Sequence, residues 1–272
     1  MSDRCEVTGL SPENVNKFQY LHSHLKNSLE ISEPSSDALK GFSKPLQYTV
    51  SNHRIHNSDI KRRESLFNHL KKSIASKFQG SKLSKFGSAE SGLSLKGGDF
   101  DLCLQIPDAN EKKILKKIGG ILRGQGMENV QIISKAKVPI VKFVDPRSGL
   151  HVDISINNTL ALHNTRLLSS YAKADSRVKE LAICVKHWAL HRNLSDSVNG
   201  TLSSYAWSIL VIDHLLSQGV VANLQSGEDR VVIELDDSEY DITINPENSL
   251  DTKSDTELPN LLHSFFTNFA TR

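Results

Sequence analysis

The chain has 272 residues, of which 38% are hydrophobic and 24% are charged, and its formal net charge is +2 at pH 7. These proportions are ordinary for a soluble globular protein of one large or two modest domains. No stretch approaches the roughly 18 uninterrupted apolar residues of a membrane span, and residues 1–30 lack the pattern of a signal peptide. Because the three cysteines are far apart and show no metal-ligand spacing, they are expected to be reduced thiols in an intracellular protein.

The small net charge hides two regions of opposite sign. Residues 54–142 hold 18 lysines and arginines against 8 acidic residues, whereas residues 226–257 hold 2 against 11. A basic region of this size suits a polyanionic partner. Charge alone is equally typical of solvated helix faces, so both interpretations stay open.

The first part of the chain predicts a loop followed by two helices. Residues 32–58 are rich in Ser, Asn and His and predict a weakly structured connection, and Ser58 resembles an N-cap. Helical spacing of apolar residues then predicts one helix after Ser58 and a second over residues 111–125. The apolar positions are Leu66, Phe67, Leu70, Ile74 and Phe78 in the first, and Ile114, Leu115, Ile118, Ile121 and Leu122 in the second.

Three short segments around and after the second helix predict strands, because they are rich in β-branched residues and bounded by Gly, Pro or Asp. They are residues 100–106, 138–144 and 151–156. From Asp175 onward the spacing is helical, and a further helix is predicted to begin near Thr201. Residues 217–257 are polar and acidic, with one apolar run at 231–235. This order predicts an α+β unit beside a helical unit.

The strongest chemical signal is a set of three aspartates. Asp99 and Asp101 are two positions apart on a predicted strand, so both carboxylates should point to the same face. Hard carboxylate oxygens suit Mg²⁺, and Asp153 of a later strand supplies a third carboxylate for a two-metal site. Gly87 and Ser88 begin a turn upstream, where a phosphate could approach the backbone closely. A lone Asp-x-Asp pair is usually a solvated turn, but the combination is far more specific.

These motifs resemble those of the DNA polymerase β-type nucleotidyltransferases. More closely, the chain is similar to the terminal uridylyltransferases of the caffeine-induced-death-suppressor type and to the related cytoplasmic poly(A) polymerases, mainly over residues 60–215. The segments that carry the resemblance are FGSAESGLSLKGGDFDLCL, KAKVPIVKF, VDISINNTLALHNTRLLSSY, VKHWALHRN and NGTLSSY, with a weaker match at LLHSFFTNFA. The resemblance implies an α+β fold, in which a five-stranded mixed sheet with flanking helices packs against a helical central, poly(A)-polymerase-associated domain.

The resemblance also implies roles for ten residues. Asp99 and Asp101 would ligate the triphosphate-bound Mg²⁺ (or Mn²⁺), and Asp153 would complete the second metal site and help to activate an RNA 3′-hydroxyl. The remaining roles concern the nucleotide: Gly87, Ser88, Lys186 and Ser204 for the triphosphate, Asn164 and Thr165 for the ribose or base, and Tyr205 for stacking under the base. From the residues alone, a tyrosine in an apolar helix is commonly core and a lone lysine is commonly solvated.

Three units are expected: an N-terminal helix and connection over residues 1–57 that packs on the central domain, a catalytic domain over 58–160, and a helical central domain over 161–272. Two departures from the family pattern matter. Leu190 stands where the family often has a second basic residue, four positions after Lys186. The chain also ends at Arg272, within what resembles the start of the poly(A)-polymerase-associated segment, so the expected nucleotide recognition loop is absent.

The predicted activity is addition of UMP from UTP to RNA 3′ ends without a template, with release of pyrophosphate and a two-metal mechanism. The alternatives are a poly(A) polymerase that uses ATP, a synthase of small signalling nucleotides, and a non-catalytic RNA-binding or scaffold member of the family. The expected partners are an RNA 3′ end and a nucleoside triphosphate, with no membrane and no indication of an oligomeric state. The expected location is the cytoplasm, with the nucleus as the alternative.

Overall fold

The computed structural model describes residues 33–107, 110–136, 138–235, 237–251 and 254–271. The expected α+β class is confirmed, because a five-stranded mixed sheet with flanking helices lies beside a group of packed helices. Within the described residues, no helix is both long enough and apolar enough to cross a membrane.

The strands of the main sheet lie in the order β1-β2-β5-β4-β3, so the two carboxylate-bearing strands are neighbours. Strand β2 runs parallel to β5, and the other three pairings are antiparallel. The strands are Lys82–Phe86 (β1), Phe100–Gln105 (β2), Glu128–Ile133 (β3), Ile140–Asp145 (β4) and Leu150–Ile156 (β5). A separate hairpin joins Val232–Leu235 (β6) to Ser238–Asp241 (β7).

Eight α-helices lie within the described residues, together with three short 3-10 segments. The α-helices are Ser36–His53 (α1), Asn57–Ser73 (α2), Gly87–Ser91 (α3), Glu111–Gly124 (α4), Thr159–Ala174 (α5), Ser176–His191 (α6), Ser204–Ser217 (α7) and Leu258–Thr271 (α8). The 3-10 segments are Ala75–Lys77, Ser197–Asn199 and Pro246–Asp251.

Alternation along the strands gives the sheet one apolar and one polar face. Phe100, Leu102 and Leu104 of β2 are buried in a core that they share with Leu70 of α2 and Leu115 of α4. The same alternation holds on β5, where every second residue joins this core. The intervening residues, which include both strand aspartates, therefore lie on the opposite face. A second core joins α5, α6, α7 and α8.

The predicted connection over residues 32–58 is wrong for most of its length, because Ser36–His53 form a helix. The Ser35 hydroxyl caps this helix by accepting a hydrogen bond from the backbone N–H of Ala38 at 3.2 Å. Gly41 and Pro45 lie inside it, and residues of this kind argue against a helix when the sequence is read alone. Helix α1 packs against α6 and α8. This packing favours the helix, although its own sequence does not predict one. The predicted unit over residues 1–57 otherwise lies largely outside the described residues.

Two element boundaries also differ from the predictions. Helix α2 begins at Asn57, so Ser58 lies inside it, and the cap is His56, whose backbone N–H donates to Asp59 Oδ2 at 3.2 Å. Strand β2 begins at Phe100, so Asp99 precedes the strand instead of sharing it with Asp101. The expectation that both carboxylates belong to one strand face is therefore wrong for Asp99.

Candidate active site

The register of the central strands brings two aspartates side by side. In the parallel pairing of β2 and β5, Asp101 lies directly opposite Asp153. In the antiparallel pairing of β4 and β5, Lys142 lies opposite Asp153 on its other side. All three residues stand on the polar face of the sheet. The sheet thus presents a row of two carboxylates and one ammonium group.

Lys142 is the direct partner of Asp153. Its Nζ donates to Asp153 Oδ2 at 2.7 Å. Burial lowers the pKa of Lys142, but the hydrogen bond to Asp153 and the charges of the three aspartates outweigh it, so the pKa is raised. The pKa of Asp153 is also raised, because burial exceeds the opposing influence of Lys142. The pair holds the Asp153 carboxylate in a defined direction.

The pKa of the Asp101 carboxyl group is strongly perturbed. Burial raises its pKa to about 7, with further contributions from the negative charges of Asp153 and Asp99. Lys142 and Arg63 oppose this shift without cancelling it. The raised pKa of Asp101 thus reports mainly a carboxyl group withdrawn from solvent, and secondarily its nearness to two other carboxylates.

Gly87 lets the chain pass close to this carboxylate. It begins α3 directly after β1, with a φ of +78°, and a Cβ atom built on it would lie 2.0 Å from Asp101 Oδ2. Only glycine combines that backbone conformation with that close approach. The Gly87 backbone N–H donates to Thr165 Oγ1 at 2.9 Å, and the Thr165 hydroxyl donates to the carbonyl of Ala161 at 2.7 Å. This chain of hydrogen bonds ties the turn to α5.

A cavity of about 300 Å³ opens beside Asp101 and Gly87. Its walls come from the sheet, from α3, from α5 and from the first turns of α7. Seven of the ten predicted site residues line it: Gly87, Ser88, Asp101, Asn164, Thr165, Ser204 and Tyr205. Ser208, which was not predicted, also lines it. The structure therefore assembles most of the predicted nucleotide contacts around one space.

The helical side of the cavity is formed by the start of α7. The helix begins at Ser204, not near Thr201 as predicted, and Ser203 Oγ accepts from the backbone N–H of Ala206 at 3.1 Å. Tyr205 is 45% exposed, so the alternative that it is a core residue does not hold. Partial burial still raises the pKa of Tyr205. An aromatic ring is thus available at the edge of the cavity.

Lys186 occupies a different position from the cavity residues. It is only 4% exposed, and its Nζ donates to the backbone carbonyl of Leu93 at 2.6 Å. Burial lowers its pKa to about 8, with the charge of Asp101 acting in the opposite direction. The alternative of a solvated lysine is therefore wrong, and the predicted phosphate contact stays a prediction. Asp99 also lies outside the cavity lining and is exposed.

Comparison with known proteins gives the same picture. Residues 42–173 match the family described as the central palm domain of poly(A) RNA polymerases of the mitochondrial-like type. Terminal uridylyltransferase 7 of Homo sapiens is 39% identical over 186 residues, which are 64% of this chain and 12% of the relative. Terminal uridylyltransferase cid1 of Schizosaccharomyces pombe is 29% identical over 277 residues, which are 94% of this chain and 66% of the relative.

Solved structures agree over most of the chain. The structure of a cytoplasmic RNA terminal U-transferase matches with a TM-score of 0.75 at 30% identity and covers 85% of this chain and 72% of that one. The chain belongs to the terminal uridylyltransferase and poly(A) RNA polymerase family. The family resemblance carried by the sequence motifs is therefore confirmed. The Cid1 poly(U) polymerase, solved with MgGTP bound, matches with a TM-score of 0.76 at 29% identity and covers 85% of this chain and 74% of that one.

Membership of this family implies a divalent metal ion, and the donor chemistry fits one. Asp99, Asp101 and Asp153 interact electrostatically, and all supply hard oxygen ligands. The positive charge next to the Asp153 carboxylate is that of the Lys142 ammonium group. In the part of the chain that the structure describes, no group of three His, Cys, Asp or Glu side chains is arranged to hold an ion as it stands. The fit therefore rests on the chemistry of the donors.

Two basic residues beside the three aspartates were not predicted from the sequence. Lys142 lies within the quoted segment KAKVPIVKF, but its position opposite Asp153 depends on a strand register that the sequence does not show. Arg63 lies three and seven positions before Leu66 and Leu70, on the apolar side of α2, and is 6% exposed. A basic residue on an apolar helical face was the available signal for a buried arginine.

Proposed function

We propose that this chain is the catalytic part of a template-independent RNA 3′-terminal nucleotidyltransferase, which adds UMP from UTP and releases pyrophosphate. The observation that supports this most directly is the placement of Asp101 opposite Asp153, beside a turn that only glycine can form and a cavity edged by Tyr205. The proposed catalytic unit is residues 58–160 and the helical unit is residues 161–272. The chain spans only 12% and 66% of the two uridylyltransferases compared above.

In the proposed reaction, the RNA 3′-hydroxyl oxygen forms a bond to the α-phosphorus of the nucleotide, and the bond between the α-phosphorus and the bridging oxygen breaks. A divalent ion, when bound, lowers the pKa of the hydroxyl and balances charge on the phosphates. Asp99, Asp101 and Asp153 would hold it, and Mg²⁺ is the proposed ion, with Mn²⁺ as the alternative. Asp153 also helps to activate the hydroxyl.

The other residues bind and orient the nucleotide. Gly87, Ser88 and Ser204 line the cavity where we place the triphosphate, and Tyr205 supplies a ring face for the base. Asn164 and Thr165 face the ribose or base from α5. Lys186 contributes a buried positive charge near Asp101. The protein thereby acts through positioning and electrostatic stabilisation.

A basic groove gives the proposed RNA substrate a surface. It has a volume of about 510 Å³ and lies between the edge strand β1 and α5, and Thr165 lines both this groove and the cavity. Its cationic side chains are Lys82, Lys85, Arg166 and Lys173. Only Lys85 has an ion pair among the described residues, to Glu64 and Glu90. We propose that RNA phosphates bind here, so affinity should fall steeply with salt and vary little with sequence.

A poly(A) polymerase that uses ATP is the second candidate. Its support is the palm-domain match over residues 42–173 and the 33% identity to Poly(A) RNA polymerase GLD2-A of Xenopus laevis over 217 residues, which are 76% of this chain and 41% of the relative. A non-catalytic scaffold has less support, because all three aspartates and the cavity are present. The cytoplasm is the proposed location, as in the name of the U-transferase compared above, and the nucleus is the alternative.

The decisive experiment incubates the protein with a short, unstructured, 5′-labelled RNA and Mg²⁺, with each of the four nucleoside triphosphates in turn. Faster stepwise lengthening of the RNA with UTP than with ATP supports uridylyl transfer, and faster lengthening with ATP supports the second candidate. Product analysis without RNA identifies a synthase of small nucleotides. Binding of Mg²⁺ and nucleotide with no lengthening of any RNA would contradict the proposed function.

A further inference from the structure

Arg63 of α2 is buried beneath the segment that leads to the catalytic strand. Its Nη1 donates to the carbonyl of Asp99 at 3.1 Å and its Nη2 donates to the carbonyl of Gly98 at 2.5 Å. The guanidinium carbon lies 5.4 Å from the centre of the Phe100 ring. One side chain therefore contacts three consecutive residues, of which the middle one carries a proposed metal-binding carboxylate.

The two carbonyls compensate the burial of this charge only in part. Among the described residues, Arg63 forms no ion pair, and its Nε is buried without a hydrogen-bond partner. Burial lowers the pKa of Arg63, and the charges of Asp59, Asp101 and Asp99 act in the opposite direction. A buried charge with incomplete partners is costly to fold. An apolar residue would fill this place more cheaply if packing were the only requirement.

Asp99 lacks both the strand position of Asp101 and the side-chain partner of Asp153. It lies before β2 and is exposed, and no hydrogen bond or ion pair to another described residue reaches its carboxylate. Asp153, by contrast, is held by Lys142 at 2.7 Å. Among the described residues, the Asp99 backbone is therefore what sets the point and the Cα–Cβ direction from which this carboxylate leaves the chain.

The backbone before Asp99 is held tightly on both sides. The backbone N–H of Lys96 donates to the carbonyl of His53 at 2.7 Å, and that of Gly98 donates to the carbonyl of Leu95 at 3.1 Å. A Cβ atom on Gly98 would lie 2.6 Å from Ser94 Oγ. Arg63 completes this arrangement, because it fixes the two carbonyls that set the orientation of the Asp99 residue.

We propose that Arg63 is a positioning residue that aims the Asp99 carboxylate and thereby sets the affinity of the site for its divalent ion. The planar guanidinium can donate to two neighbouring carbonyls at once. A lysine at this place would supply the positive charge without the two parallel N–H donors. This inference rests on the proposed function only in assuming that a divalent ion binds the three aspartates.

The test compares Arg63→Lys with Arg62→Lys. Arg62 is a matched control, because it is the adjacent residue of α2 and its Nη1 also donates to a backbone carbonyl, that of Ser148 at 3.1 Å. Mn²⁺ binding in the presence of a non-hydrolysable UTP analogue is followed by loss of the free-ion electron paramagnetic resonance signal. We expect R63K to weaken Mn²⁺ binding at least tenfold and R62K to leave it within twofold. In an Asp99→Ala background, R63K should have no further effect.

Unchanged Mn²⁺ affinity in R63K, or an equal loss with and without Asp99, overturns the proposal. Should R63K not fold, hydrogen exchange on the wild type is the second test. Amides 96–101 should already be protected from exchange before Mn²⁺ and nucleotide are added. Strong protection that is gained only on binding refutes the proposal that the Asp99 backbone is positioned in advance. A wild type that binds Mn²⁺ but does not lengthen RNA contradicts the proposed function alone. A wild type that binds no Mn²⁺ contradicts both.

Discussion

The two sides of the cavity are built in different ways. On the sheet side, Asp101 and Asp153 are fixed by strand register, and Gly87 passes so close to Asp101 that a single added carbon has no room. On the helical side, Ser204 and Tyr205 stand at the exposed start of α7, and the Tyr205 ring is almost half exposed. The two strand aspartates are thus placed by backbone ladders, whereas two of the proposed nucleotide-binding side chains stand at the start of a helix. Substitutions should therefore have larger effects on the sheet side.

Replacement of Asp101 by alanine is expected to have the largest effect. Loss of one carboxylate from the proposed ion site should cost several kcal/mol of transition-state stabilisation, or roughly three decades in rate. The measurement is initial RNA lengthening with saturating UTP, with circular dichroism to confirm that the variant is folded. Near-normal activity in folded D101A would rule out the metal assignment.

Gly87→Ala tests the close approach on the sheet side. The added methyl group must displace the Asp101 carboxylate, so we expect about a 100-fold loss of rate, equivalent to about 2.7 kcal/mol. Gly126→Ala is the matched control, because Gly126 has a φ of +77° but no atom within 4 Å of the place where its added methyl group would lie. Both variants should lose some stability from backbone strain. Equal activity in the two variants would show that the contact with Asp101 does not matter.

Tyr205 tests the helical side. Base stacking on an aromatic ring contributes about 1–3 kcal/mol, so Tyr205→Ala should raise KM for the nucleotide roughly 5- to 150-fold. Tyr205→Phe keeps the ring and should stay close to wild type. Nucleotide titrations of initial rate at saturating RNA provide the measurement. If Y205F is as impaired as Y205A, the hydroxyl group, and not stacking, is responsible.

The raised pKa of Asp101 predicts that the folding stability of the metal-free protein depends on pH. Its folded-state pKa of about 7 lies above the ordinary value of 3.8, so the folded state binds a proton that the unfolded chain has released. The stability of the folded state should therefore fall as pH rises from about 4 to above 7. In the presence of a chelator, Asp101→Asn should melt at a higher temperature than wild type at pH 8 and at a similar temperature at pH 4. A difference that does not change with pH would contradict this assignment.

The smallest expected effect is the difference in rate between nucleotides, measured with the chain of residues 1–272. Stacking on Tyr205 and phosphate contacts are common to all four triphosphates, whereas strong discrimination needs hydrogen bonds to base edges. Among the described residues that line the cavity, Asn164 is the one with a side-chain amide. We therefore expect a blunted preference for UTP over ATP when initial rates are compared at equal concentrations. A preference above about a thousandfold would show that the groups already present select the base.

The fold class and the aspartate pattern were predictable from the residues, whereas the nucleotide contacts around the cavity were implied by the family resemblance. Gly87, Ser88, Asp101 and Asp153 carry a spacing that fits few other arrangements. Strands β1 and β3 were not predicted, since Lys82–Phe86 and Glu128–Ile133 mix polar and apolar residues at the edges of the sheet. Edge strands need less apolar sequence than central ones, so their pattern is weaker.

Features that depend on contacts between residues far apart in the chain could not be predicted from the sequence. The burial of Lys186 against the carbonyl of Leu93 joins residues 93 positions apart. The placement of Lys142 opposite Asp153 depends on a one-residue choice of register. Helix α1 is explained by its packing on α6 and α8 more than by its own composition. These are cases in which tertiary packing overrides local preference.

In the proposed metal site, the Lys142 ammonium group competes with an incoming cation for the Asp153 carboxylate. An incoming ion must displace an ammonium group that is already 2.7 Å from one carboxylate oxygen, so the apparent ion affinity is the intrinsic affinity reduced by the strength of this pair. The Lys142 side chain is 43% exposed, which limits the pair to about 1 kcal/mol. That energy corresponds to about a fivefold rise in the free-ion concentration for half occupancy. Lys142 thus keeps the Asp153 carboxylate ordered in the absence of an ion.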